Sequence, residues 1–297
     1  MNIRSVLSAD IVHLDFTLDL RARSTTRVKH PDWLDGKGLR KDIGFFTGRG
    51  QGFGLVAERD GEIFGFVGCA GPVRERTAIQ LHGPVVAGGA RQQGVGSKLL
   101  GHALAAGRKV YAPGCSVVNW MSTENIAGSA LLKKFHFEIP YAEWFMRCEE
   151  EVASIPRLPG GWRVRRVRDR EGITRSYGIY GATWSGKKSV DSFHADVSSP
   201  PNGMYLLEDG SGALAFFILM ARSNGNVDIE YFAVRPDVRG QGVGSMLMRH
   251  ALPMIREETG GRPVTLTVHT DNDPAIRLYE GAGFRKLYAM DCWQFVL

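Results

Sequence analysis

The chain has 297 residues, enough for one large or two ordinary domains, and its 43% hydrophobic content is that of a globular protein. A formal net charge of +6, with no arginine-lysine stripe interleaved with aromatics, suits a small phosphate-bearing partner and argues against nucleic acid. The four cysteines are scattered with no pair at metal-ligand spacing, Arg4, Asp10 and Asp15 disqualify the start as a signal peptide, and the longest apolar run, Ala213 to Ala221, is too short to span a bilayer. The expectation is a soluble cytoplasmic protein with reduced thiols, no metal, and no membrane or nucleic-acid partner.

Asn2 to Val6 reads as a strand, followed from Ala9 by a helix with Ile11, Leu14, Leu18 and Ala22 on one face. A polar stretch from Ser24 to Gly54 reads as loop plus a short helix, of the kind that shapes substrate pockets. Phe53 to Glu58 and Glu62 to Gly68 flank Asp60-Gly61 and form a hairpin. Next comes a strand ending in Val85-Val86, then the glycine-rich stretch Ala87 to Ser97, then a helix whose buried face carries Val95, Leu99 and Ala103. A strand from Ser116 to Met121 and a helix from Ala127 to Lys134 complete this half.

Ile155-Pro156-Arg157-Leu158-Pro159-Gly160-Gly161, just after the charge run Glu149 to Glu151, reads as a linker. The same order of elements then starts again. Trp162 to Val167 is a strand, Arg170 to Thr183 a helix, Trp184 to Gly203 a loop, and Tyr205 to Glu208 with Ala213 to Met220 a hairpin around Asp209-Gly210. Ile229 to Val234 is a strand leading into a second glycine turn and a helix with Val243, Leu247, Ala251 and Ile255 on its buried face. A strand from Val264 to His269 precedes a last helix from Pro274 to Glu280, with proline at a first-turn position.

The two turns are in register. Arg239, Gly244 and Ala251 lie 148 residues after Arg91, Gly96 and Ala103, and Asn272 and Phe284 lie 147 after Asn125 and Phe137. A repeat of that length means two copies of one domain, placed at residues 1–150 and 162–297 around a linker at 151–161. Each turn joins a strand to a helix N-terminus, where unpaired N–H groups and the helix dipole favour anions and glycine lets the backbone approach. It is a cradle for pyrophosphate. Gly-x-x-x-x-Gly-Lys-Ser/Thr is absent, and no Gly-x-Gly-x-x-Gly follows the first strand of a βαβ unit, so P-loop and dinucleotide folds lose their support. His-Glu-x-x-His and Gly-x-Ser-x-Gly are absent too.

Arg239-x-x-Gly242-x-Gly244 with Asn272, Tyr279 and Gly283-Phe284 resembles the GNAT N-acetyltransferase superfamily, and Arg91-x-x-Gly94-x-Gly96 with Asn125 and Phe137 is similar. The resemblance covers both halves and implies an α/β chain with a mixed sheet, two tandem GNAT acyl-CoA acyltransferase folds, and acetyl-CoA as cofactor. It implies that Arg239, Gly240, Gln241, Gly242, Val243, Gly244 and Ser245 bind pyrophosphate, that Phe232, Ala233 and Val234 receive pantetheine along the strand edge, and that a main-chain N–H near Val234 polarises the carbonyl. Asn272 joins that set. A possible second cofactor site comprises Val86, Arg91, Gln92, Gln93, Gly94, Val95, Gly96, Ser97 and Asn125.

For catalysis, the resemblance implies Glu230 as the base, on the strand side shared by Asp228 and Phe232 if alternation holds, with Asp228 as its fallback, and Tyr279 as the acid for the leaving thiolate. The first copy has His82 and Leu132 at the matching positions, and leucine donates no proton, so the second copy is expected to carry the chemistry. Trp184, Asp191, His194 and Asp228 are candidate acceptor contacts. The expected acceptor is a small-molecule amine and the expected assembly a monomer or homodimer. A protein or peptide N-acetyltransferase and a non-catalytic acyl-CoA-binding module are the competing readings.

Overall fold

The computed structural model describes residues 1–10, 52–71, 78–148, 154–184, 189–198, 202–222 and 225–297. The expected helix from Ala9, all but the end of the polar stretch, Glu149 to Glu151 and Gly186 to Lys188 lie outside the described residues, apart from a 3-10 turn at Ser8–Asp10. In chain order the first part supplies β1 (Asn2–Ser5), β2 (Gly52–Arg59), β3 (Glu62–Ala70), β4 (Ala78–Val86), α1 (Val95–Val110), β5 (Ser116–Ser122), α2 (Ile126–Lys134) and β6 (Glu138–Cys148). The second supplies β7 (Arg163–Val167), α3 (Arg170–Thr183), α4 (Val190–Ser198), β8 (Gly203–Asp209), β9 (Gly212–Ala221), β10 (Val227–Val234), α5 (Val243–Thr259), β11 (Val264–His269), α6 (Asp273–Gly281) and β12 (Phe284–Val296).

The chain forms two compact units, but they do not divide at the linker. One unit is residues 1–143 with 288–297, the other 144–287. The first unit's sheet runs β1-β2-β3-β4-β5-β12, because Met290 to Val296 pair antiparallel with Ser122 to Ser116. In the second it runs β7-β8-β9-β10-β11-β6, with β6 entering from Trp144 onward. Each unit thus draws a strand segment from the sequence of the other copy, which a linear boundary between 150 and 162 does not capture. Contacts decide this, and sequence order does not.

The stretch from Trp184 to Gly203, read as loop, contains α4. Its sequence is mostly polar, and only Phe193 and Val197, one turn apart and buried, pin it to the sheet. Helix α3 starts where Asp169 accepts a hydrogen bond from the Gly172 N–H at 2.7 Å. Helix α5 ends at Gly260 in the left-handed conformation, φ 65°, with Gly261 N–H bonding the Arg256 carbonyl at 2.9 Å.

In the second unit the sheet is apolar on both faces. Phe217, Leu219, Ile229 and Leu266 meet Leu247, Ala251 and Ile276 of α5 and α6, while Phe216, Ile218 and Leu206 meet Ile173, Tyr180 and Phe193 of α3 and α4. That two-sided burial explains the unbroken apolar run of β9. Leu247, Ala251 and Ile255 are wholly buried, as the four-residue spacing predicts, and each such leucine or isoleucine contributes roughly 1.5–3 kcal/mol. The first unit packs Leu99, Leu100 and Ala103 of α1 against Val67, Ile79 and Val117 in the same manner. None of the four cysteines forms a disulfide.

Candidate active site

The site of the second unit begins where two parallel strands part. β10 pairs with β11 only from Val227 to Ile229, although β10 continues to Val234 and β11 to His269. At the same point β10 bulges against β9: Glu230 faces Ile218 and Ala233 faces Phe216, so Tyr231 and Phe232 together oppose one residue. Tyr231 takes φ 50°, the left-handed region. The first unit repeats both features. β4 pairs with β5 only over Ala78 to Gln80, and Gly83 (φ 88°) and Pro84 bulge between His82 and Val85. Proline has no amide hydrogen, so the strand edge there carries one donor fewer than at Phe232.

The bulge corrects one expectation. Glu230 and Asp228 share a face, but Phe232 has turned to the other. It stacks on Phe217 (5.9 Å between centroids) and meets Tyr279 edge-on, whereas Tyr231 packs between Tyr180 and Trp184 at 5.6 Å from each. Strict alternation fails because the extra residue reverses the parity of everything after it.

Past Val234 a 3-10 turn, Pro236–Val238, leads into the glycines. Gly240 (φ 75°) and Gly242 (φ 77°) are left-handed, and Gly242 begins α5 with no side-chain cap. The first bond into the helix barrel is Met246 N–H to Gly242 carbonyl, 3.0 Å, so the N–H groups of Val243, Gly244 and Ser245 have no helical acceptor. Gly244 serves a different need: a Cβ there would lie 2.7 Å from Leu278 Cδ1 and 3.2 Å from Val234 Cγ2. Arg239 and Gln241 brace the turn from within, Arg239 Nε donating to the Val234 carbonyl at 2.9 Å and Gln241 Nε2 to the Asp237 carbonyl at 3.2 Å. Their side chains hold the cradle, which leaves its main chain to meet an anion.

The first unit builds the same device. Arg91 Nε bonds the Val86 carbonyl at 3.0 Å, Gln93 Nε2 bonds the Gly89 carbonyl at 2.9 Å, Gln92 takes φ 59° where the second unit has Gly240, and Gly94 opens α1 uncapped. Val95, Gly96 and Ser97 line a cavity of about 360 Å³ with Pro84, Asn125 and Leu131. Asn125 and Asn272 each turn Oδ1 back to cap a helix, accepting from Gly128 N–H at 3.0 Å and Ala275 N–H at 3.3 Å.

Tyr279 is 7% exposed on α6, and burial raises its hydroxyl pKa, so the phenol stays protonated at neutral pH. Its counterpart in the first unit, Leu132, is buried in that unit's core. The carboxylates bring a partner that sequence reasoning missed. Arg222 Nε holds Asp228 Oδ2 and its Nη2 holds Glu230 Oε1, both at 2.6 Å, and Thr265 Oγ1 also bonds Asp228. Burial disfavours the charge on Arg222, yet the two carboxylates outweigh it and raise its pKa. Glu230 is 39% exposed and Asp228 15%, so Glu230 is the more accessible of the two.

Of the acceptor candidates, Trp184 stands at the bulge against Tyr231, and Asp228 beside Glu230. Asp191 pairs with Arg170 at 3.4 Å and His194 Nδ1 meets Ser198 Oγ at 3.2 Å, so the contacts of these two lie among α3 and α4. The sequence carried a signal for the first bulge, Gly-Pro inside a strand pattern. It carried none for Tyr231 or Arg222.

The family model for the acetyltransferase (GNAT) family matches residues 16–137 and 172–284. The chain belongs to this family, with two GNAT domains. Among its relatives, a mycothiol acetyltransferase of Actinosynnema mirum is 28% identical over 250 residues, 78% of this chain and 80% of that protein. A putative ribosomal protein bS18-alanine N-acetyltransferase of Bacillus subtilis is 30% identical over 133 residues, 43% of this chain and 87% of that one. A solved tandem GNAT protein from the clavulanic acid biosynthesis pathway, determined without AcCoA, superposes with a TM-score of 0.76 at 14% identity, covering 99% of this chain and 98% of its own. That likeness fixes the fold.

A GNAT acetyltransferase uses acetyl-CoA, and the cradle fits it: an uncapped helix N-terminus behind left-handed glycines, beside a splayed strand edge. Among the described residues no helix is long and apolar enough to cross a membrane, and no group of three His, Cys, Asp or Glu could hold a metal ion.

Proposed function

We propose that this GNAT chain is an acetyl-CoA-dependent N-acetyltransferase acting on a primary amine of a small molecule, an aminosugar, amino-acid derivative or antibiotic-like compound, by direct attack in a ternary complex. The observation that carries the reading is that Tyr279, a proton donor, packs against Phe232 of the bulge, whereas the first unit has Leu132 and Pro84 at the corresponding places. Chemistry therefore belongs to the second unit. The first contributes a cradle and cavity suited to the same cofactor, without the proton donor.

Acetyl-CoA supplies a thioester carbonyl activated toward amines. Main-chain N–H groups from Gly240 to Ser245 take the pyrophosphate, and the open edge of Phe232, Ala233 and Val234 takes pantetheine as an added strand. A main-chain N–H near the bulge is directed at the oxygen on which negative charge develops. Glu230, directly or through a water, accepts the amine proton, with Asp228 and Arg222 orienting its carboxylate. Tyr279 donates its hydroxyl proton to the departing sulfur. Asn272 acts at one remove, fixing the start of the helix that carries Tyr279.

A peptide or protein N-terminus is the second reading, favoured by the bS18-alanine N-acetyltransferase relative. The test is to incubate the full chain with acetyl-CoA and a panel of small amines and N-terminal peptides, following thiol release and the mass of each acceptor. An acetyl gain on a small amine is expected, lost in Tyr279→Phe and retained in Arg91→Ala. Turnover that survives the first change and vanishes with the second assigns the chemistry to the first unit instead. Absence of thiol release with every acceptor leaves an acyl-CoA-binding module.

A further inference from the structure

The second unit has another cavity, about 450 Å³, lined by Arg166, Arg168 and Arg262 with Leu219, Ala221 and Val227. It is not part of the cradle. Val227 is the first residue of β10 and Val234, at the cradle, the last, so the two ends stand roughly 23 Å apart at ~3.3 Å per residue. Glu258 and Thr259, which also line the cavity, sit at the C-terminal end of α5, whose N-terminal end forms the cradle.

We propose that this cavity binds a small organic anion, its carboxylate or phosphate gripped by Arg168 and Arg262 and its apolar body laid on Leu219, Ala221 and Val227. The charge balance favours an anion. Arg166 is already engaged, pairing with Glu258 and donating from Nη2 to the Asn202 carbonyl at 3.2 Å, so its charge and that of Glu258 cancel. Arg168 and Arg262 remain, two exposed guanidiniums at the rim. The α5 C-terminus opposes them with only about half a negative charge. Burial, and after it the like charge of Arg168, holds Arg166 below the ordinary guanidinium range. The size is that of a small-molecule site, and an apolar floor with a few charged groups is the usual composition of one. Guanidinium forks match either oxyanion in bidentate geometry, which is why the class is set by charge and shape before it is set by the choice between phosphate and carboxylate.

Titration calorimetry of the full chain, with acetyl-CoA saturating so that the cradle is filled, tests this with four probes: phenyl phosphate, phenylacetate, benzyl alcohol and inorganic phosphate. At least one of the two aromatic anions is expected to bind. Benzyl alcohol, with a similar body and no charge, and inorganic phosphate, with no body, should each bind roughly tenfold or more weakly, and the comparison of the two aromatic anions names the headgroup. The double variant Arg168→Gln, Arg262→Gln should weaken the anion by a similar factor while leaving thermal unfolding unchanged, since both side chains are exposed. Equal binding by the variant, equal binding of the neutral or body-free probe, or no binding of either aromatic anion at millimolar concentration overturns the proposal. None of these readouts uses turnover, so the outcome is independent of the acceptor and of the catalytic assignment.

Discussion

Tyr279 meets Phe232 edge to face, ring centroids 5.9 Å apart at 80°. Because Phe232 belongs to the bulge of β10, this contact fixes a buried phenol of α6 against the strand edge where the cofactor's sulfur must pass if the edge receives pantetheine. Tyr279→Phe keeps the ring and removes the hydroxyl, and with it the proton donor. The expected result is a fall in kcat on the order of 10²-fold, with an unchanged unfolding midpoint. Burial raises the pKa of this hydroxyl, so the acid form persists to higher pH than for a free tyrosine. A kcat profile should therefore show no loss assignable to Tyr279 below about pH 10.

Arg222 links Asp228 to Glu230, and removing it leaves two ionised carboxylates side by side on one strand face. Arg222→Gln should cost roughly 2–4 kcal/mol at neutral pH. The deficit should shrink when the same change is made in a background carrying Asp228→Asn and Glu230→Gln, where there is no carboxylate repulsion left to relieve. Urea unfolding of Arg222→Gln in the two backgrounds measures both. An equal deficit in the two would mean that the arginine acts through packing alone.

Gly244 and Gly96 occupy equivalent helix starts but differ in clearance. A methyl at Gly244 would stand 2.7 Å from Leu278 Cδ1, and at Gly96 3.3 Å from Leu131 Cδ2. Gly244→Ala should destabilise by about 1–3 kcal/mol and raise the KM for acetyl-CoA. Gly96→Ala should be near neutral, because about 0.5–1 kcal/mol gained from helix propensity offsets the milder contact. Paired thermal melts and acetyl-CoA titrations distinguish the two.

Glu208, 2% exposed, accepts hydrogen bonds from Arg163 Nε at 2.7 Å and Arg165 Nε at 2.9 Å. Burial pushes its pKa up, but the bonds from Arg165 and Arg163 more than reverse this and leave the carboxyl below the ordinary glutamate range. A depressed folded pKa contributes stability above the unfolded value, about 4.3, and that stability is lost as pH falls through the lower folded value. Glu208→Gln should therefore cost about 2 kcal/mol at pH 7, a figure reduced because Arg163 is largely exposed, and close to nothing in strong acid. The stability difference plotted against pH is the check.

Much of this was legible without coordinates. The duplication, the glycine cradles, the hairpins, the buried face of α5 and the family could all be read from residue types at fixed spacings, because local backbone chemistry and helical or strand periodicity repeat wherever the same short pattern recurs. So could the asymmetry between Tyr279 and Leu132, once the two copies were laid in register. What the tertiary structure alone decided depends on residues far apart in the chain. The bulge at Tyr231 reverses which side Phe232 faces, and it is defined by pairing with Phe216 and Ile218 rather than by any local residue. Arg222 turns two apparently independent carboxylates into one ion-paired group, and α4 forms because Phe193 and Val197 find a sheet to pack on. The units themselves close with β12 beside β5 and β6 beside β11, strands whose neighbours are set by long-range contact. The sequence by itself determined the family and the duplicated order of elements, α4 excepted. Register, parity and charge pairing, which arise only when distant strands meet, determined how the side chains on those elements face one another.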